Sequence, residues 1–544
     1  MITRDDYRRP LAAAGDLEEL RGMTLWEAFC RARDQAPDRP CLIEGEHVLS
    51  WEAVSQLSER VASHFLELGI GPGDVVGLHL PNGRAFVLAH LALAKIGAVT
   101  ATLHMPYGTH ELERMLGFTE AKAIVLPARF HHSQPWRNLE EVWPRLPHLK
   151  WAVVVGGELI SHPRAVRWED WLESPATNPT WPAVEADDPF ALFFTSGTEA
   201  PEPKACLHSH NTLVSNAAWV VEEAPLAAED VVLSGSPFTH LFGILSLHMA
   251  LVRGSTQVLL DRFTPEDFLR ACIQHRVSFA LAVPAQIRDV LSYLTQHPLN
   301  SRLWLREVRT GGAWAPPSLA AEVRQHLGAG LVFHWGMSEL GAGAYTHWTD
   351  EGIEALSTIG RPTKGSEVAV YTEEGVISQA PEAQGEFLFR GPSLFLGYYR
   401  NPAVTDHSYL WEGEKAWFRT GDQAQLRPDG RVAFLGRVKD IINRGGMKVS
   451  VLELESLLTK LPGVEAMAIV PEPDPRLGER AVLVYQGQEE ISLEMVRALL
   501  EAEGVAKYKW PERVLRLSQI PRTPTGKVAR GILRSLVLDA EAAR

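Results

Sequence analysis

A chain of 544 residues exceeds the size at which a single hydrophobic core keeps growing, so at least two domains are expected. With 45% hydrophobic and 22% charged residues its composition is that of an ordinary soluble globular protein. A formal net charge of −14 argues against wholesale binding to nucleic acid or to an anionic bilayer, and any anionic ligand must be met by local cations.

The amino terminus, Met1-Ile2-Thr3-Arg4-Asp5-Asp6-Tyr7-Arg8-Arg9, has no apolar signal-peptide core, and a cytoplasmic location is expected. Thr24 with Glu27 three places on forms a capping box for a helix over 25–35. Ser50 opens a helix over 51–68, where apolar residues recur at helical spacing. Strands are predicted at 75–80, 99–103, 123–126 and 151–155, with helices over 84–95 and from Thr109. The most apolar long window, 85–105, carries His90 and Lys95 and splits into helix-like and strand-like halves, a poor membrane span. Strand–helix alternation of this kind favours parallel sheets with helices on their faces.

The unbroken apolar run 189–194 reads as a buried strand. It leads into Thr195-Ser196-Gly197-Thr198-Glu199-Ala200-Pro201-Glu202-Pro203-Lys204. Backbone amides, three hydroxyls and a lysine converge there, with Gly197 allowing close approach, which is what a phosphate cradle needs. On these residues alone a plain strand-exit turn is an equal reading. Helices over 211–223 and from Thr264, with Pro265 at its first position, and strands at 256–260, 278–282, 307–310 and 331–334 continue the alternation. From about residue 360 short strands take over, including a hairpin at Pro428-Asp429-Gly430. An α+β segment comes next: helices over 452–460 and 493–503, strands at 464–470 and 481–485, and a last helix from Val528. Cys30, Cys41, Cys206 and Cys272 lack C-x-x-C spacing, so neither a disulfide framework nor zinc is suggested.

Further motifs follow, the first two of which join the Thr195 loop at predicted strand ends, where open α/β sheets bind ligands. They are Gly311-Gly312-Ala313, Trp335-Gly336-Met337-Ser338-Glu339, Thr420-Gly421-Asp422, Gly436-Arg437-Val438-Lys439-Asp440, Gly445-Gly446 and Pro521-Arg522-Thr523-Pro524-Thr525-Gly526-Lys527. In this order, over nearly the whole chain, the set resembles the acyl-adenylate-forming superfamily, in its acyl- and aryl-CoA ligase branch. That resemblance implies an α/β fold. Its large N-terminal adenylation domain, 1–436, is built from α/β subdomains with parallel sheets plus a small β-barrel-like part. A smaller mobile C-terminal α+β lid, 437–544, completes it, hinged at Lys439.

The resemblance implies ATP-dependent activation of a small-molecule carboxylic acid through an acyl-AMP, then thioester formation with coenzyme A. Thr195, Ser196, Gly197, Thr198 and Lys204 match the loop that holds the β- and γ-phosphates. The loop departs from the usual pattern: Glu199-Ala200 replaces Thr-Gly, and there is one extra residue. Glu339 matches the Mg²⁺ ligand, with Ser338 near the phosphate. Trp335 and Gly336 replace and retain, respectively, a Tyr-Gly pair whose ring stacks on adenine, and Gly312 and Ala313 match the turn beside the base. Asp422 and Arg437 match the ribose anchor. Lys527 matches the lysine that bridges the acid carboxylate and the α-phosphate. Gly445 and Gly446 match the wall of the pantetheine tunnel, and His240 a position between acyl pocket and thiol entrance. The small residues Gly341, Ala342, Gly343 and Ala344 suggest room for an apolar acyl group. An alternative acceptor is a carrier-protein phosphopantetheine; carrier-loading relatives for hydroxybenzoates often have Asn where His240 stands, which favours CoA. A reading of another class is a non-catalytic nucleotide-binding regulator. No nucleic acid partner and no integral membrane segment are expected, and nothing in the sequence bears on oligomeric state.

Overall fold

The computed structural model describes residues 22–156, 162–175, 177, 179–195, 203–299, 302–313, 315–350, 357–413, 415–438, 441–444, 447–475, 478–523 and 528–542. Contacts divide the chain into two compact units, Met1–Glu367 with Arg390–Trp417, and Val368–Phe389 with Phe418–Arg544. This division differs from the expected 436/437 boundary. Gln384–Glu386 and Leu388–Phe389 pair with the Arg419–Gln425 stretch and Phe418 of the long strand Lys415–Leu426, whose far half pairs with Val432–Arg437. The short-strand segment therefore clusters with the later part of the chain.

Among the described residues the first unit holds two sheets. One has nine strands; its parallel core runs Gly330–Met337, Glu307–Gly311, Phe279–Leu281, Val231–Ser234, Thr256–Leu259, Pro40–Glu44. The other has eight, and its parallel core runs Pro189–Phe194, Val99–Thr102, Val75–Leu78, Ala123–Pro127, Trp151–Val155, Ala165–Arg167. The helices Arg84–Ile96, His210–Glu223 and Leu241–Arg253 are buried almost all round. A helix apolar on every side needs partners on every side. One continuous cluster joins Val76 and Phe190 of the smaller sheet, Leu88, Leu213 and Ile244 of these helices, and Leu42 and Leu259 of the larger sheet.

Local signals hold at the helix starts. The Thr24 hydroxyl accepts from the Glu27 amide while the Glu27 carboxylate accepts from the Thr24 amide, reciprocal caps worth about 1 kcal/mol. Ser50 caps Trp51–Glu67, and Thr264 caps Pro265–Gln274. Several strands of this unit escaped the sequence reading: Pro40–Glu44, His47–Ser50, Ala165–Arg167, Ala205–Ser209, Val231–Ser234 and Gly341–Tyr345. Ala205–Ser209 returns antiparallel to Pro189–Phe194, so the hydroxyl-rich loop joins two strands rather than a strand and a helix. His47–Ser50 forms a hairpin with Pro40–Glu44.

In the second unit, Gly478–Gly487 pairs with Val464–Asp474, Ile441–Arg444 and Arg513–Arg516. Leu454 and Leu500, from the helices Val451–Leu458 and Leu493–Ala502, pack with Leu483 and Tyr485. Leu533 and Val537 of the helix Arg530–Ala542 pack with Val482 and Val484, the alternate strand positions. Among the described residues no helix is long and apolar enough to cross a membrane.

Candidate active site

The strand Pro189–Phe194 ends at Thr195, whose amide donates to the Lys204 carbonyl at 2.9 Å. This bond closes the loop at its neck and fixes where Lys204 leaves it. Ser196, Gly197 and Thr198 lie outside the described residues. The Lys204 ammonium stands 3.8 Å from Glu339 Oε1 and 3.9 Å from the centre of the Tyr398 ring.

Glu339 occupies a turn. The strand expected to end at 334 continues as Gly330–Met337, which takes Trp335, Gly336 and Met337 into the sheet. It then reverses through Ser338-Glu339-Leu340 into Gly341–Tyr345. The register of the pair shifts by a bulge between Trp335 and Gly336, and Gly336 is obligatory there, because a Cβ would meet the Gly341 carbonyl oxygen at 2.0 Å. Asn216, buried on the helix His210–Glu223, donates to the Ala342 carbonyl and accepts from the Ala342 amide at 2.9 and 3.1 Å, pinning the return strand.

Two further contacts hold the turn. His208 Nε2 donates to the Ser338 carbonyl at 2.8 Å, and the Phe395 amide donates to the Glu339 carbonyl at 2.8 Å. The Glu339 side chain is only 7% exposed, and its Oε1 accepts from the Tyr398 hydroxyl at 2.7 Å. Burial, then the neighbouring Glu339 charge, pushes the Tyr398 phenol well above its ordinary value, so it remains a donor.

Gly312 and Ala313 are exposed just beyond the strand Glu307–Gly311. Gly312 has φ +78°, a backbone that glycine adopts without strain. Trp335 is 7% exposed, its ring set against Gly343, where a Cβ would come within 2.6 Å. This corrects the reading of residues 341–344 as room for an acyl group. Trp335 and Leu340 fill the space over Gly343, Asn216 fills that over Gly341, and Ala344 is fully buried.

His240 precedes the helix Leu241–Arg253, and its ring stacks on His104 at 3.9 Å. His104 follows the strand Val99–Thr102 and lies 2.7 Å from the Thr239 hydroxyl. Burial, then the His240 and His79 rings, lower its pKa well below the usual imidazole range. Burial lowers His79, beside it in the same sheet, to about 4. The His79 and His104 imidazoles are neutral at pH 7. His104 was missed in the sequence; its signal was a polar residue just past the carboxyl end of a buried strand.

Deeper between the sheets, His90 Nε2 lies 3.1 Å from His248 Nε2, and the His210 ring stacks on Phe190. Burial, then neighbouring imidazoles, lowers His210 and His248 to about 3 and His90 well below its ordinary value. Each folded value lies below the unfolded one, so each group favours the folded state fully above pH 6.5. That contribution declines as pH falls from 6.5 toward 3, by about 1.4 kcal/mol per pH unit per histidine. The urea midpoint is therefore expected to drop between pH 7 and pH 5, and His210→Asn to reduce the slope by close to one proton. A slope unchanged in that variant contradicts the account.

In the second unit Asp422 and Arg437 face each other in register on antiparallel strands. Arg437 Nε stands 3.6 Å from Asp422 Oδ1; the carboxylate is 7% exposed and the guanidinium 49%. The Asp422 amide donates to the Thr420 hydroxyl at 3.1 Å. A buried acceptor beside an exposed donor suits a sugar diol. Lys439, Gly445, Gly446 and Lys527 lie outside the described residues.

The carboxylate of Glu339 fits a magnesium ion. Oε1 is satisfied by Tyr398 and Lys204, while Oε2 has no partner among the described residues, and a hard cation bridging phosphates needs one such oxygen. Among the described residues no group of three or more His, Cys, Asp or Glu could hold a metal.

The family described as AMP-binding enzyme matches residues 29–399, and the AMP-binding enzyme C-terminal domain matches residues 453–527. The chain is 32% identical, over 95% of its length and 94% of the relative's, to a salicylyl-CoA synthase / salicylate adenylyltransferase of a Streptomyces species. It is 29% identical to the medium-chain fatty-acid–CoA ligase of Escherichia coli K12, covering 94% of this chain and 90% of that one. The crystal structure of the anthranilate CoA ligase AuaEII in complex with anthranoyl-AMP superposes with a TM-score of 0.84 at 22% identity, covering 96% of this chain and 98% of that one.

Proposed function

Since the chain belongs to the AMP-binding enzyme family, we propose that it is an ATP-dependent acid–CoA ligase that works through an acyl-adenylate. The observation that carries this reading is the buried Glu339 carboxylate held beside Lys204 at the neck of the hydroxyl-rich loop. A lysine and a carboxylate with one open oxygen are what a metal-bound triphosphate requires, one to meet phosphate charge and the other to hold the metal.

A carboxylate is a poor electrophile, and its oxygen must approach an anionic phosphorus. In the first half-reaction that oxygen bonds to the α-phosphorus while the bond to pyrophosphate breaks. In the second, the thiol sulfur attacks the acyl carbon and AMP departs, carrying away the electron pair. Catalysis is chiefly positioning and charge stabilisation. Thr195, Ser196, Gly197, Thr198 and Lys204 hold the β- and γ-phosphates. Glu339 holds magnesium, which neutralises phosphate charge, and Ser338 supplies a hydroxyl nearby. Gly312, Ala313, Trp335 and Gly336 border the adenine, and Asp422 and Arg437 take the ribose hydroxyls. Lys527 bridges the acid carboxylate and the α-phosphate. Lys439 is the hinge of a carboxy-terminal domain over 437–544 that serves both half-reactions, with Gly445 and Gly446 lining the thiol channel. His240, stacked on neutral His104, lies at the thiol entrance.

The acid is an aromatic or apolar one, in keeping with the salicylate and medium-chain fatty-acid specificities in the names of two relatives. Loading of a carrier-protein phosphopantetheine is the second reading, and His240 in place of asparagine favours CoA over it. Pyrophosphate exchange across a panel of such acids, followed by AMP release with and without CoA, separates the readings. Exchange with CoA-stimulated AMP release is expected. Exchange without stimulation means carrier loading, and no exchange for any acid removes the ligase assignment.

A further inference from the structure

Tyr398 belongs to none of the motifs that suggested the function. It lies on a two-residue strand, Gly397–Tyr398, paired antiparallel to Leu207 and Cys206 at the edge of the eight-stranded sheet. The residue is 3% exposed. The hydroxyl donates to Glu339 Oε1 at 2.7 Å, and the ring face carries the Lys204 ammonium at 3.9 Å. Its backbone amide donates to the Thr405 hydroxyl at 2.9 Å, and the Leu396 amide to the Leu207 carbonyl at 2.7 Å, so the strand that bears it is fixed at both ends. A phenol placed this way does two things. It satisfies one oxygen of a buried carboxylate, which fixes the rotation of the group. Its π face also gives the neighbouring ammonium a place to rest while the phosphates are absent.

We propose that Tyr398 is the positioning residue for Glu339, locking the carboxylate by Oε1 so that Oε2 faces the metal, and that the same ring berths Lys204 until the metal–nucleotide complex arrives. The proposal rests on the reading of Glu339 as the metal ligand. Tyr398 touches neither the reacting acid nor the phosphorus; it acts through Glu339. When a divalent cation takes up the Glu339 charge, the attraction that holds Lys204 at 3.8 Å weakens, and the ammonium is released toward the phosphates. Engagement of Lys204 is therefore contingent on the metal.

The test is a double-mutant cycle on binding, with no turnover involved. Full-length protein is titrated with the complex of Mn²⁺ and α,β-methylene ATP, and free Mn²⁺ is followed by electron paramagnetic resonance. Tyr398→Phe is expected to weaken binding about 10-fold, the loss of one hydrogen bond to a charged group. Glu339→Gln is expected to weaken it at least as much. The double variant should bind no more weakly than Glu339→Gln alone, because the hydroxyl acts only through that carboxylate. Incorporation of 3-fluorotyrosine at position 398, which keeps the donor and the fold, should retain wild-type affinity. If Glu339→Gln binds normally, the metal-ligand reading falls and this proposal with it. If Glu339→Gln weakens binding but Tyr398→Phe does not, or if the two losses simply add, the positioning role alone is overturned.

Discussion

Lys527→Ala is expected to reduce acid-dependent pyrophosphate exchange by about 10²–10³-fold, the scale for removing one preorganised charge stabiliser from a transition state. Thioester formation from chemically prepared acyl-AMP should survive largely intact. The reason is that the two half-reactions need different charges. Adenylation brings a carboxylate against a phosphorus surrounded by anionic oxygens, and a single ammonium between them offsets that repulsion. Thiol attack proceeds on a carbonyl already activated by AMP, where no second anion is forced close. Loss of kcat with little change in KM for ATP would mark an interaction made only in the transition state. Equal loss of both half-reactions would contradict the assigned role.

Glu307→Ala is expected to destabilise the amino-terminal unit by about 3–5 kcal/mol, the scale for leaving a buried charge unpaired. The Glu307 and Arg309 side chains are 1% and 2% exposed, and Arg309 Nε donates to the Glu307 carboxylate in a close ion pair. Arg309 Nη1 also lies 2.8 Å from His334 Nε2, and its guanidinium lies over the Tyr345 ring. A guanidinium only donates, so His334 Nε2 must accept and the ring proton resides on Nδ1. Burial, then the Arg309 charge, lowers the His334 pKa well below its ordinary value and holds the ring neutral. Without Glu307 the guanidinium would keep only the neutral His334 ring as a side-chain hydrogen-bond partner among the described residues. Differential scanning calorimetry should show the lower transition in Glu307→Ala and recovery of most of it in Glu307→Leu/Arg309→Met, since removing both charges leaves no buried charge unpaired, at the smaller cost of the donor to His334 Nε2. A double variant as unstable as the single one would show that packing, rather than charge, sets the cost. Arg309 lies two residues before Gly311 on its strand, so the same loss should disturb the turn at Gly312 and Ala313.

Much of the fold was legible because its signals are local. Thr24, Ser50 and Thr264 cap the helices they open, since a side-chain oxygen three residues from an orphan amide needs no distant partner. Buried parallel strands such as Ala123–Pro127 and Trp151–Val155 show as short apolar runs because both faces are covered. The antiparallel return Ala205–Ser209 was not legible. Ala205-Cys206-Leu207-His208-Ser209 has neither clear alternation nor an apolar run, because one of its polar residues, His208, is buried to hold the Ser338 carbonyl. The length of the strand Gly330–Met337 was hidden for a similar reason. Its glycine looked like a terminator, whereas it makes a bulge against Gly341.

The chain by itself determined the family and the order of its motifs, and it named the candidate groups for phosphate, metal and ribose, because those chemistries demand particular side chains at short, recognisable spacings. Tertiary structure alone decided how these groups are held. Tyr398 lies 59 positions from Glu339, and His104 lies 135 from Thr239; no local periodicity encodes such a pairing. It likewise closed the space that glycines and alanines had suggested at 341–344, since whether a missing side chain leaves a cavity depends on what packs opposite it.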